Sequence, residues 1–181
     1  MRVAVLGIAA SAFALTACGG PESAADPNDP DQVAAVAESI AKPQPGQYRT
    51  SGELVEFDMP GAPAEEVEMV RGFMEMGAGQ EQLVCITQEQ ADAGFQEFLT
   101  AMSDNSDECS FTDFTVDGDQ LDASMRCDGG QGGAGTVSFA GTITETSQDM
   151  TVTMEMENTA EGQAMRMVMR NQTERVGDCP A

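Results

Sequence analysis

Thioethers and thiols are the side chains in this sequence best arranged for chemistry. Among thirteen methionines, Met150, Met154 and Met156 alternate with Thr151, Thr153 and Glu155 in "DMTVTMEME". Met165, Met167 and Met169 alternate with Arg166 and Val168 in "AMRMVMR". Side chains two apart on a strand share a face, so each run presents a methionine stripe. Paired as an antiparallel hairpin, the runs set Met156 opposite Met165 and Met154 opposite Met167. Clustered thioethers are soft ligands of the kind Cu(I) takes. They are equally the pliable filling of an apolar face, which a chain with eight phenylalanines, one tyrosine and no tryptophan needs. With no histidine in the chain, the second reading is the stronger. Met154, Met156, Met165 and Met167 then form a face for packing or for a small apolar or lipid-like ligand. Copper is the lesser alternative, and no metal site or cofactor is expected.

The five cysteines make an odd set, and Cys18 stands apart. Arg2 precedes an apolar run, Val3–Leu15, which suits a signal peptide and is too short to span a ~30 Å hydrocarbon core. Leu15-Thr16-Ala17-Cys18 resembles the lipobox of bacterial lipoprotein precursors. That resemblance implies a signal peptide over residues 1–17 and acylation of the Cys18 thiol, with palmitate-type chains anchoring the protein. Two or three acyl chains suffice for stable anchoring. The alternative is ordinary secretion after a cut at Ala12-Phe13-Ala14. Gly19 stands where Asp would resemble an inner-membrane retention signal, so a periplasm-facing position on the outer membrane is favoured.

Assigning Cys18 to lipid leaves Cys85, Cys109, Cys127 and Cys179, an even set in an exported chain. Such a set reads as two disulfides with three connectivities open. The segments "CSFTDFTV" and "LDASMRC" flank Asp117-Gly118-Asp119-Gln120. A hairpin centred on Gly118 would bring Cys109 opposite Cys127, close enough to bridge with slight adjustment. Cys85 then pairs with Cys179. Zinc ligation would need close Cys or His pairs, and the chain has neither.

Other motifs carry less. "GGQGGAG" (Gly129–Gly135) contains a literal G-x-G-x-x-G, but a strand pattern follows where the dinucleotide fingerprint needs a helix. "SDNSDE" (Ser103–Glu108) lacks the ligand order of an EF-hand and reads as a solvated loop. No G-x-S-x-G, histidine or unpaired thiol supplies a nucleophile with its base, so no catalytic residue and no enzyme is expected. With 31 acidic against 8 basic residues and a formal net charge of -23, the surface repels phosphates, and nucleic acid is not a partner. The same charge repels anionic membranes, leaving the Cys18 lipid as the membrane contact.

These features need elements to position them. Gly19 to Asp31 is Pro-, Asp- and Ala-rich, the composition of a disordered tether. Residues 18–44 are therefore read as a lipid-anchored flexible linker. Within it "DQVAAVAESIAK" places Val33, Val36, Ala37 and Ile40 at helical spacing with Asp31 as N-cap, either a short docking helix or part of the linker. A single domain is expected over residues 45–181. It opens with a strand at Gln47–Met59 and a helix at Ala64–Met76, followed by a short strand, "EQLVCIT". A capping box at Thr87 and Gln90 starts a helix over Gln88–Ser103, with Ala91, Phe95, Phe98, Leu99 and Met102 on one face. From Cys109 onward the period is two, a meander of antiparallel strands. The fold class is α+β: a twisted antiparallel sheet curling toward a half-barrel, packed with two helices and stapled by disulfides.

In order along the chain stand "KPQPGQYR", "LVCIT" before a helix, "CSFTDFTVDGDQL" with "MRC" after it, "MTVTMEME" and the closing "RVGDCP". This series resembles a bacterial envelope family, the domain of unknown function numbered 3617, over roughly Lys42 to Pro180. The family often carries tryptophan at the positions of Tyr48 and Phe114. The resemblance implies a small exported β-rich domain and brings no established activity. The functional expectation is a non-catalytic binding module for a small apolar or lipid-like ligand. The alternative is a structural or interaction protein of the envelope with an acidic surface, with Met-rich Cu(I) binding behind it.

Overall fold

A computed structural model describes residues 23–96, 109–128, 134–157 and 164–180. The signal segment, Cys18, the Gly-rich run to Gly133, the acidic cluster at Ser103–Glu108 and the turn at Asn158–Gln163 lie outside the described residues. The period-two half of the chain folds as a meander. Its strands are β4 (Cys109–Asp117), β5 (Gln120–Cys127), β6 (Gly135–Ile143), β7 (Ser147–Met156) and β8 (Met165–Gly177). Before them come β1 (Ser23–Ala24), α1 (Pro30–Ala37), β2 (Gly46–Asp58), α2 (Ala64–Ala78), β3 (Gln82–Ile86) and α3 (Gln88–Ala93). All strands join one open antiparallel sheet in the order β1-β4-β5-β6-β7-β8-β2-β3. The class is α+β, with three described helices. Among the described residues, no helix is long and apolar enough to cross a membrane.

Register decides which side chains share a face. Across β7 and β8, Met154 opposes Met167 and Met156 opposes Met165. The β4–β5 hairpin departs from a turn centred on Gly118. Asp117 pairs with Gln120 across a two-residue turn, whose Gly118 takes φ 57°, a backbone that glycine adopts without steric cost. Phe114 therefore opposes Ala123, and Val116 opposes Leu121. A bulge between Phe111 and Asp113 absorbs the extra residue. Beyond it Phe111 opposes Met125, and Cys109 opposes Cys127. The bulge thus puts Phe114 and Val116 on the same face as Leu121 and Ala123 while leaving the cysteines in step.

Both disulfides form, Cys109–Cys127 and Cys85–Cys179. The first closes the open end of the β4–β5 hairpin. The second ties β3, at the edge of the sheet, to the residues after β8. With sequence separations of 18 and 94, the chain-entropy model gives roughly 3 to 5 kcal/mol per bridge.

The N-terminal segment is docked rather than free. β1 pairs with β4, and α1 buries Val33 and Ala37, followed by buried Ile40, against Phe114, Val116, Leu121, Ala123 and Met150. Its cap is Asp29, two residues before the expected Asp31. The Asp29 carboxylate accepts from the backbone N–H groups of Asp31 at 3.1 Å and Gln32 at 3.3 Å, and Pro30 enters the first turn with its φ already set. The linker expected over residues 18–44 is therefore structural from Ser23 onward. Apolar burial of Val33, Ala37 and Ile40 outweighs the disorder that the Pro/Asp composition suggested.

The helix expected over Gln88–Ser103 is interrupted after Ala93, and helical backbone resumes at Phe95 and Gln96, where this described segment ends. Thr87 and Gln90 form the capping box, but Gly94 takes φ 57° and ends the run. Of its expected face, Ala91 is buried and Phe95 packs on the core, while Phe98, Leu99 and Met102 lie outside the described residues. α2 crosses the sheet near β2. Gly52 admits it: a side chain there would press on the Ala78 carbonyl. Arg71 Nη2 donates to the Phe57 carbonyl at 2.7 Å.

Candidate functional site

One face of the sheet carries α1 and the aromatic side chains, and a cavity of about 330 Å³ opens there. Strand alternation positions its walls. β4 supplies Phe111 and Phe114, β5 supplies Leu121 and Ala123, and β6 supplies Phe139 and Ile143. β7 adds Met150 and Val152, and β8 adds Asn171 and Thr173. Except for Phe111, these stand in three rows across the sheet, Phe114–Ala123–Phe139–Val152, Leu121–Gly141–Met150–Asn171 and Ile143–Gln148–Thr173. Ile40, Ala41 and Pro43, between α1 and β2, form another wall, with Phe95 and Tyr48 beside them. The Phe111 and Phe114 rings meet edge to face at 5.3 Å, and Phe95 lies 6.3 Å from Phe114. Such contacts fix the wall's shape as well as its apolarity.

Two glycines allow the strands to close on one another. A Cβ on Gly141 would overlap the backbone of Asp149 and Met150, and one on Gly135 would overlap Glu155 and the Met156 sulfur. Glycine at these positions on β6 lets β7 and its methionines lie close across it.

The rim is held by hydrogen bonds. Tyr48 is 2 % exposed, and its hydroxyl lies 2.7 Å from the Gln44 carbonyl oxygen and 3.1 Å from that of Glu145, donating to one of them. The Gln44 N–H donates to the Glu145 carbonyl at 2.7 Å, so the chain entering β2 is tied to the β6–β7 turn. Within that turn Thr144 Oγ1 accepts from the Ser147 N–H at 2.9 Å, and Arg175 N–H donates to the Thr146 carbonyl at 2.8 Å. Burial pushes the Tyr48 phenol above its ordinary pKa, and the nearby Arg175 charge offsets only part of that rise. On the opposite face of the sheet, Arg170 grips Asp149 through two hydrogen bonds, at 2.8 and 2.5 Å. That contact, with Gln172 assisting, holds the Asp149 carboxyl below its usual range.

Among the described residues, none that lines the cavity is charged. Polar groups gather at one end, where Thr144, Ser147, Gln148, Asn171 and Thr173 line the wall. The arrangement has the size and character of a small-molecule site: mostly apolar walls and a few polar groups.

Met154, Met156, Met165 and Met167 share this sheet face but do not line the cavity. Their opposed pairs lie further along β7 and β8, and Met167 is buried while the other three are half-buried. Cys127 opposes Gly135, and Gly135 opposes Met156, so the Cys109–Cys127 bridge borders the methionine row. Among the described residues, no group of three or more Asp, Glu or Cys side chains is placed to hold a metal ion. The cavity-lining phenylalanines were missed by reasoning on the methionine stripe. Their signal was in "CSFTDFTV", where Phe111 and Phe114 stand three apart and look like opposite faces of a strand until the bulge is known.

The comparisons with known proteins bear on the same span. No curated protein and no solved structure matches the chain significantly. The family model described as a protein of unknown function, DUF3617, matches residues 43–179, from the cavity wall at Pro43 to the bridged Cys179 and leaving α1 ahead of it. That match covers well over half of the chain, and the chain belongs to the DUF3617 family.

Proposed function

We propose that this protein is a non-catalytic binding module, held in the bacterial envelope by a lipid on Cys18, whose sheet-face cavity takes a small apolar or lipid-like molecule. The observation that carries the reading is the cavity itself. In a chain with 31 acidic residues, it is walled by aromatic and aliphatic side chains, and its described lining carries no charge. At about 330 Å³ it reaches the lower end of the ~300–1,000 Å³ range of small-molecule sites. The Leu15–Cys18 lipobox pattern supports the anchor, and the two disulfides fit an oxidising compartment.

The test is a titration with the fluorescent apolar probe N-phenyl-1-naphthylamine. The folded chain should bind it saturably, and Ala123→Phe, which fills the cavity from β5, should abolish saturation while circular dichroism stays native. Linear, unsaturable fluorescence in the unaltered chain would reject the binding module in favour of an envelope protein acting through its acidic surface.

A further inference from the structure

We propose that the cavity selects an uncharged amphiphile, with its apolar body against the phenylalanines and a neutral hydrogen-bonding head at the β7–β8 end. This rests on the reading that the cavity is a ligand site, and it adds the chemistry of the ligand.

The polarity of the cavity has a direction. Phe111, Phe114 and Phe139 stand on β4 and β6, while Gln148 opposes Thr173 and Met150 opposes Asn171 on β7 and β8. Thr173 shares a 3.2 Å hydrogen bond with Thr50. The side-chain amides of Gln148 and Asn171 make no hydrogen bond within the described residues. Each therefore offers a donor and an acceptor to whatever sits at that end. A hydroxyl, ester or amide head pairs with both kinds of group.

Charged heads fit poorly. A carboxylate or phosphate moved into the cavity would lose water and meet no cation, because no Lys or Arg stands among the described lining residues. Arg175, whose charge acts on Tyr48, already donates to the Pro45 carbonyl and to Asp178. An ammonium head would equally find no carboxylate among the described lining residues. Like-charge repulsion from so acidic a chain counts further against an anion.

Three twelve-carbon probes separate head from tail: monolauroylglycerol, dodecanoate and dodecyltrimethylammonium, each below its micellar concentration at neutral pH. The full chain carries Cys18→Ser so that no anchor acyl chain competes, and displacement of N-phenyl-1-naphthylamine gives each Kd. Monolauroylglycerol should bind roughly tenfold or more tighter than either ion. Gln148→Lys, at an exposed position, should reverse the order and bring dodecanoate ahead. Equal affinity for the three probes, or a Gln148→Lys chain indifferent to dodecanoate, overturns the assignment of the head while leaving an apolar site in place. Failure of the naphthylamine itself to bind removes the cavity as a ligand site, and this inference with it.

Discussion

Tyr48 is the chain's one tyrosine, with no tryptophan beside it, so absorbance near the phenolate band reads a single residue. Burial raises its pKa above the ordinary value near 10. Because the folded state holds this proton more tightly than the unfolded chain, the phenol's contribution to stability is fully present below the unfolded pKa. It is lost as pH rises through the folded one. A spectrophotometric titration should therefore show ionisation above that of the urea-unfolded chain, and native stability should fall over the same alkaline range. Coincident folded and unfolded titrations would mean that the phenol is not buried as described. An aromatic group at position 48 was legible in "KPQPGQYR". The use of its hydroxyl was not, since both partners are backbone carbonyls and one lies far away in sequence.

Among the elements, α1 makes the strongest claim beyond the family-matched span. Ile40 is buried in the core and also lines the cavity. Ile40→Ala should cost about 2–5 kcal/mol in urea unfolding, whereas Leu83→Ala on exposed β3 should stay within about 0.5 kcal/mol. A near-zero effect at Ile40 would show that the segment is not part of the folded unit. The helical spacing of Val33, Val36, Ala37 and Ile40 revealed the helix. The surface it docks on was hidden, because that surface is assembled from β4, β5 and β7, up to about a hundred residues later. The hairpin registers were more legible, since β7 and β8 alternate cleanly. The β4–β5 bulge was not, because a turn one residue off centre gives the same cysteine pairing once a bulge compensates.

For the whole molecule, the docked N-terminus changes how the anchor would work. With the lipid on Cys18, only Gly19 to Glu22 lies between it and β1 at Ser23, and a fully extended chain of that length spans at most roughly 18 Å. The domain would sit close to the membrane, with the β1–β4 edge nearest, rather than on a long leash. Cys18→Ser should move the protein from the membrane to the soluble fraction, and persistence in membranes would reject the anchor. Fold class, disulfide pairing and family were written in periodicity, cysteine parity and local motifs. The cavity was not, because it is a space between rows from five strands and the segment around Ile40.

The most direct test is native mass spectrometry of the full Cys18→Ser chain, exported to an oxidising periplasm and purified without detergent. The account predicts a mass four hydrogens below the reduced chain, plus a discrete neutral adduct that leaves on denaturation or appears on incubation with monolauroylglycerol. A bare chain under both conditions would contradict it.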